Sequence, residues 1–591
     1  MSNSQCLTGL TSCNRACVNE NTDNNNCGGC SSSALPCTFN GSTCFQCGSG
    51  KGCSNGSCVT ATVFAPPASC SATNPPIQVT NGGSENVCAG NLAQTTFRWG
   101  VCDCSSFSAS QDISVDAFDS SKAGYPPALR GGGVGINGSF GAQTTTLSGD
   151  LWCANDANNL NNASPSGAGS YVEGDVHVKG ALNGKGLYVG DRIDTPNVAS
   201  DVYVTGGTSG ITNTGSTAMH ISGNVYDCGT GGACTAPTTK SGSVTIDGAT
   251  YPSPVASPKA WSGTIAEPCV CGAPTLVPDA SVIDVDGIVA YHKGGNCSVT
   301  IATSCVTNAN CPNGESCISH NDNAAIGLDP NLYCSAIIGD CTAIGAAPAR
   351  LDLPCGNYYL NSFNTSTPTT IYAHGNTAIY IGSAGGTSMS AHQLYFGLDP
   401  TAQLDIFVGA NSAGVGGTLG GSTLSLGSPN YPALTRFYYG SYSLSNNLTN
   451  TVHFSQQILI DGEFYAPKAE LKWSQATAVF GAVFAGSMSL SQKFNLHYDR
   501  AVLGIGADCP RPTGGSGGGA NTCGGTGCCT CNDCFNQACI INPSNNGTCG
   551  PDGANGGCKV NSDCCSPLVC DVDGFSGSGT GVAGTCFLNG G

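Results

Sequence analysis

Hydrophobic and polar positions alternate along most of the chain in runs of three to five residues, each closed by Gly or Asn. Asp175-Val-His-Val-Lys179, Gly186-Leu-Tyr-Val-Gly190, Asp201-Val-Tyr-Val-Thr205 and Met219-His-Ile-Ser222 are examples. Ala378-Ile-Tyr-Ile-Gly382, Leu404-Asp-Ile-Phe-Val408 and Gln457-Ile-Leu-Ile-Asp461 follow later. Alternation with period two buries one face of a strand and leaves the other polar. Gly and Asn between the runs supply the positive φ that tight turns need. No window of fourteen or more residues combines apolar positions at i, i+3, i+4 and i+7 with good helix formers between them. The pattern predicts an all-β protein. Runs this short, repeated over more than 300 residues, predict a parallel β-solenoid (β-helix) body. A sandwich would want longer strands and more large aromatic core residues. Gly149-Asp-Leu, Gly174-Asp-Val and Gly223-Asn-Val read as one coil loosely repeated.

Cysteine placement divides the chain. Of 39 cysteines, ten fall within Cys6–Cys58 and thirteen from Cys509 to Cys586, with none between Cys355 and Cys509. Short segments bury too little apolar area to fold on a core alone, so dense cysteines there predict covalent staples. The cysteine-free stretch needs an ordinary hydrophobic core. Residues 1–60 are predicted to form a Cys-rich module, 61–110 a connector and 111–508 the β-solenoid body. A Gly-rich linker over 509–522 and a Cys-rich tail over 523–591 complete the layout. Cys305-x5-Cys311-x5-Cys317 marks a disulfide-bonded insertion at 297–341. An odd total leaves at least one thiol unpaired or bonded to another chain.

So many cysteines indicate an oxidising compartment, extracellular or at the cell surface. A secretory signal is expected to precede Met1-Ser-Asn-Ser-Gln-Cys6, and its removal or another export route is implied. Charged residues are 9% of the chain against roughly 25% in an average domain. The formal net charge is −18 with 19 Lys+Arg, which offers no basic stripe for nucleic acid or anionic lipid. No apolar run approaches the roughly 20 residues of a membrane span.

Three stretches resemble known families. Cys17-Val-Asn-Glu-Asn-Thr-Asp-Asn-Asn-Asn-Cys27-Gly-Gly-Cys30, with Cys37, Cys44, Cys47, Cys53 and Cys58, resembles the stigma-specific-protein type of module. That resemblance implies an extracellular disulfide scaffold and no chemistry. Asn321-Asp-Asn-Ala-Ala-Ile-Gly-Leu-Asp329, Leu351-Asp-Leu-Pro-Cys-Gly356, Tyr465-Ala-Pro-Lys-Ala469 and His497-Tyr-Asp-Arg500 resemble an uncharacterised β domain of secreted bacterial, notably myxobacterial, proteins. Its relatives are pilus-associated, and it implies no activity. Cys549-x8-Cys558-x5-Cys564-Cys565-x4-Cys570-x15-Cys586 resembles an inhibitor cystine knot. Spacing leaves fifteen pairings of six cysteines open. The knot resemblance implies Cys549–Cys565, Cys558–Cys570 and Cys564–Cys586.

Candidate chemistry is sparse. Cys27-x2-Cys30 and Cys44-x2-Cys47, thirteen residues apart, approach a zinc-ribbon spacing, but the surrounding cysteines favour disulfides. Gly514-Gly-Ser-Gly-Gly518 matches a serine-hydrolase elbow only as a string, since it lacks the flanking strand and helix. Asp284 and Asp286, and Asp571 and Asp573, are the calcium candidates, each an alternating pair without the rest of a twelve-residue loop. No other metal or cofactor is expected. His497-Tyr-Asp-Arg500 offers a base, an orienting acid and an anion clamp, or else a capping ion pair at an open solenoid end. The eight histidines have no H-x-H or H-x-x-x-H spacing. The function expected is a secreted or cell-surface structural or adhesive protein without catalytic activity. Its expected partner is a cell-surface or matrix polymer, polysaccharide or protein. The alternatives are a carbohydrate-binding or carbohydrate-active β-helix, such as a polysaccharide lyase or hydrolase, and an inhibitor-like binder acting through the terminal knot. Four tryptophans, Trp99, Trp152, Trp261 and Trp473, are few for a sugar-stacking platform.

Overall fold

The computed structural model describes residues 76–509 apart from 82–85, 122–130, 162–169, 191–198, 206–209, 228–239, 252–264, 273–282, 302, 322–348, 354, 361–362, 383–388, 400, 410–423, 429–430, 441–449 and 455–457. It also describes short strands at 11–13, 16–18, 37–39, 42–44, 51–54, 57–60, 62–63, 538–540, 548–550, 568–571 and 585–588. The chain divides into two units, Met1–Asp508 and Cys509–Gly591.

The body is a parallel β-helix. Val101–Asp103, Phe107–Ala109 and Ile113–Phe118 make one rung. Val134–Ile136, Phe140–Ala142 and Thr145–Leu147 stack on it in parallel, with Val101 opposite Val134, Phe107 opposite Phe140 and Ile113 opposite Thr145. Each rung adds one strand to each of three sheets, and the rungs continue to Val244–Ile246 and Thr250–Tyr251. Alternation turns Val134, Leu151, Val176, Val202 and Val225 of the first sheet inward onto Phe140, Leu182, Leu147 and Val189, all of them buried. One inward position is Cys153, a buried thiol outside any disulfide. Burial pushes its pKa up, so it stays an inert core side chain.

The Gly-Asp/Asn pattern is the clamp between rungs. Asp150 Oδ1 accepts from the Asp175 N–H at 2.8 Å, and Asp175 Oδ1 from the Asp201 N–H at 2.7 Å. Asp201 Oδ1 accepts from Asn224 at 2.7 Å, and Asn224 Oδ1 from Ala249 at 3.0 Å. The preceding glycine makes room: a Cβ on Gly223 would lie 2.4 Å from the Ser200 carbonyl oxygen.

The second half builds the same first sheet from Gly356–Leu360, Thr377–Ile381, Leu404–Val408, Thr435–Tyr439, Glu463–Trp473 and Val483–Leu490. The last two are long because they bend into the second sheet, with a register shift between Ala466 and Glu470. Val483 then pairs with Val101, Met488 with Phe107 and Phe494 with Ile113. The chain therefore enters the solenoid in its middle, winds out to Tyr251, crosses to the opposite end and winds back onto its own start. Strand Phe494–Asp499 is paired on both sides, with Thr477–Phe480 and Ile113–Phe118. His497-Tyr-Asp-Arg500 thus lies at an interior seam and not at an open end. A sequence cannot show this, because the partner strand lies 381 residues upstream.

Residues 101–109, assigned to the connector by sequence, are strands of the first and second sheets. Helix Ala89–Thr96 packs on the 3-10 helix Arg500–Asp508, where Gln94 Nε2 donates to the Leu503 carbonyl at 2.6 Å. Residues 265–272 form a strap fixed by Cys102–Cys269 and Cys104–Cys271. The insertion holds Gly295–Cys297 between Ser304–Cys305 and Cys317–Ser319, all antiparallel, with disulfides Cys297–Cys311 and Cys305–Cys317. In the tail, Ala538–Ile540 pairs with Thr548–Gly550 and Leu568–Asp571 with Thr585–Leu588. The side chains of Cys549, Cys558, Cys564, Cys565, Cys570 and Cys586, and the knot pairing, lie outside the described residues.

Candidate functional site

Along the outer side of the first sheet, one position per rung forms a single file across both halves. It runs Tyr359, Tyr380, Phe407, Tyr438, Tyr465, Phe484, Cys102, Gly135, Trp152, His177, Tyr203, Tyr226 and Tyr251. Trp152 and His177 stack with centroids 4.1 Å apart, His177 and Tyr203 4.4 Å, and Tyr203 and Tyr226 4.6 Å. Cover comes from the periphery. His292 stacks on Tyr380 at 3.5 Å, Phe97 lies 6.0 Å from Tyr438, and Trp152 Nε1 donates to the Ala266 carbonyl at 2.8 Å. At the break in the file the strap fills the space: a Cβ on Gly135 would meet Pro268 at 3.1 Å. The ring faces are occupied by one another, so this file is a second core and not a platform for sugars.

Two residues before three of those rings stand Asp405, Arg436 and Glu463, in register with one another. Arg436 is fully buried and bidentate to Asp405, Nε to Oδ1 at 2.6 Å and Nη2 to Oδ2 at 2.7 Å. Gln403 Oε1 and the Ala433 carbonyl accept two of its three remaining N–H groups at 2.9 and 3.2 Å. Glu463 is fully buried, with the Ala482 backbone N–H facing its carboxyl. Burial, and then the Asp499 charge, push its carboxyl well above the usual range. Asp499 is raised to about 6 by burial, against the backbone N–H groups of Ser120, Ala501 and Ala433 at 3.0, 3.1 and 3.0 Å. A buried carboxyl raised in this way beside an Arg resembles a general acid. Here each of these side chains is closed off from solvent, and Arg436, Asp405 and Asp499 tie neighbouring turns together.

The sequence candidates do not converge. His497 Nδ1 lies 2.5 Å from Asp116 Oδ1, while Tyr498 Oη donates to the Phe97 carbonyl at 2.7 Å. Asp499 faces backbone amides, and the Arg500 stem passes the Cα of Gly131. Four consecutive residues thus meet four different neighbours. Asp284 and Asp286, read as alternating strand positions, instead cap and open helix Val285–His292, with Asp284 Oδ1 accepting from the Gly287 N–H at 2.9 Å. The side chains of Asp571 and Asp573, the Cys27–Cys47 spacing and the Gly514–Gly518 string lie outside the described residues. Among the described residues, Cys297, Cys305 and Cys311 are grouped closely enough for a metal, and all three are in disulfides.

What sequence reading missed is a surface. Four of five exposed large hydrophobic side chains among the described residues sit on the insertion: Val299 (77% exposed), Ile301 (72%), Val306 (62%) and Ile318 (56%). Glu315 holds the loop that carries the first two, accepting from the Val299 and Thr300 N–H groups at 3.1 and 2.7 Å. No Lys or Arg occurs between residues 294 and 321. A signal was present in Ser298-Val-Thr-Ile-Ala302, where β-branched side chains sit in a disulfide loop too small to bury them. A smaller polar-aromatic file, Tyr171, Tyr188 and His220, lies half-buried on the outer side of the third sheet.

One family model, a domain of unknown function (DUF7305), matches residues 329–505. No curated protein and no solved structure matches the chain.

Proposed function

We propose that this chain is a secreted or cell-surface structural protein that makes adhesive contacts and has no catalytic activity. The observation that carries the reading is the disulfide-bonded insertion, which holds Val299, Ile301, Val306 and Ile318 outward on a scaffold too small to bury them. Exposed apolar groups of this size mark contact surfaces. The solenoid supplies a stiff shaft, and its disulfides suit an extracellular setting. Among the described residues no helix is long and apolar enough to cross a membrane. The contact is apolar and lacks basic groups, which suits a matrix polymer better than nucleic acid or anionic lipid. Beads coated with the full chain are expected to be retained on matrix material, and the Val299→Ser/Ile301→Ser variant to lose most of that retention. Equal retention by both would sink the reading.

A second reading, carbohydrate binding along the third sheet, rests on half-exposed Tyr171, Tyr188 and His220, with His220 Nε2 2.8 Å from Asp247. The same assay separates the two. Retention lost on Tyr188→Ala but kept on Val299→Ser/Ile301→Ser assigns binding to the sheet.

A further inference from the structure

The two ends of the solenoid are finished differently. At one end strand Thr62–Val63 adds in parallel to Ala349–Leu353 and covers that edge. At the other, Lys240–Ser241, Val244–Ile246 and Thr250–Tyr251 are the last strands of the three sheets among the described residues. Among the described residues, Val244–Ile246 pairs only with Met219–Ile221. Val244 and Ile246 are half-buried, whereas the same inward positions one rung earlier, Met219 and Ile221, are fully buried. Among the described residues, nothing continues the core beyond this end. The Asp150–Asp175–Asp201–Asn224 ladder also stops here, because the next residue in it is Ala249. The stacked rings stop at Tyr251, 5.3 Å from Tyr226.

Backbone direction shows what is on offer. The Asp247 N–H donates to the Ile221 carbonyl at 3.0 Å, and the Ser243 carbonyl accepts from Met219 at 3.0 Å. Alternation then points the N–H and C=O groups of Val244 and Ile246 away from the body, along the open edge. An exposed strand edge is a template for another chain, and solenoids normally cap it.

We propose that this end is the meeting surface of two copies of the chain, joined edge to edge across a twofold axis. An occupant has to pair strand edges in more than one sheet at a single level, cover Val244 and Ile246, and stack on Tyr251. One extended peptide pairs with one edge. A second copy of the same end supplies all three at once, with antiparallel pairing and Tyr251 against its symmetry mate. The contact is isologous and closes at two copies. It is separate from the adhesive insertion, so either proposal can fail without the other.

Sedimentation of the full chain over a concentration series tests the dimer, and hydrogen exchange at low and high concentration locates it. A reversible dimer is expected, with the Val244 and Ile246 amides slowed in the dimer and the amides of 295–319 unchanged. Ile246→Pro removes an outward N–H and keeps the inward bonds at 245 and 247, so the dissociation constant should rise about tenfold or more, which is roughly 1.4 kcal/mol. Val244→Lys sets a charge on the rim and should do the same. Melting temperatures of both variants confirm that the rung still folds, and Val244→Lys carries the test if the proline does not. A monomer at every concentration overturns the proposal. So does a dimer that a folded edge variant leaves intact, or protection confined to another surface.

Discussion

Asp103, Asp499 and His292 are buried ionisable side chains whose protonation differs between the folded and unfolded chain. Burial pushes Asp103 from 3.8 up to about 7, against the hydrogen bonds it accepts from Ser105, and raises Asp499 from 3.8 to about 6. In both, the folded state holds a proton that the unfolded state has lost. Their contribution is fully present below about pH 4 and is lost as pH rises through 6 to 7. His292 works the other way: stacked on Tyr380 and buried, it is lowered from 6.5 to about 4. Its contribution is present above about 6.5 and is lost as pH falls towards 4. Two carboxyls, joined by raised Glu463, outweigh one imidazole. The melting temperature is therefore expected to fall between pH 5 and pH 7.5, followed by calorimetry at fixed ionic strength. Asp103→Asn, which keeps the acceptor facing Ser105, should flatten that fall and melt at or above wild type at neutral pH. An unchanged slope would show that Asp103 ionises freely.

The rung is the next scale, and its unit is a turn with Asp or Asn facing the next turn's amide. Asp175→Ala leaves the Asp201 N–H without its acceptor, at a cost of about 1–2 kcal/mol. Gly223→Ala drives a methyl against the Ser200 carbonyl, which does not yield as a side-chain tip would. It should cost more, about 2–3 kcal/mol, because the rungs must separate. Urea unfolding of both variants checks the order, and equal effects would mean that the glycine serves only its own turn. The Gly-Asp-Val pattern was legible as a repeat before any coordinates. Its purpose was not, since each acceptor and donor are about one coil apart in sequence.

Across the whole molecule, the seam between strands 101–118 and 483–499 joins the two halves by backbone pairing. The family match at 329–505 includes only one side of it. The strap crosses this region, held by two disulfides that each span 167 residues, and Lys468 Nζ reaches the Cys271 carbonyl at 3.3 Å. In the chain-entropy account a loop of this length restricts the unfolded state by about 5 kcal/mol. Both bridges close almost the same loop, so the second adds little to the first. Cys102→Ala/Cys269→Ala and Cys104→Ala/Cys271→Ala should each lower the melting temperature slightly, and the fourfold variant by much more. Additive losses would show that each bridge acts through local packing instead.

The sequence by itself determined the strands and the solenoid, because alternation and Gly-closed runs such as Asp201-Val-Tyr-Val-Thr205 are local properties of the chain. It also marked the disulfide-bonded insertion, where cysteines are dense and a core is impossible. The tertiary structure alone decided the order of the coils, since Val483 meets Val101 only after the chain has crossed from one end to the other. It likewise decided the fate of the chemistry. Residues adjacent in sequence, such as His497 and Tyr498, point to opposite sides of a strand, while Asp405, Arg436 and the stacked rings gather from separate coils. Local pattern fixes what each segment can bury, and only the stacking of distant segments fixes what it is buried against.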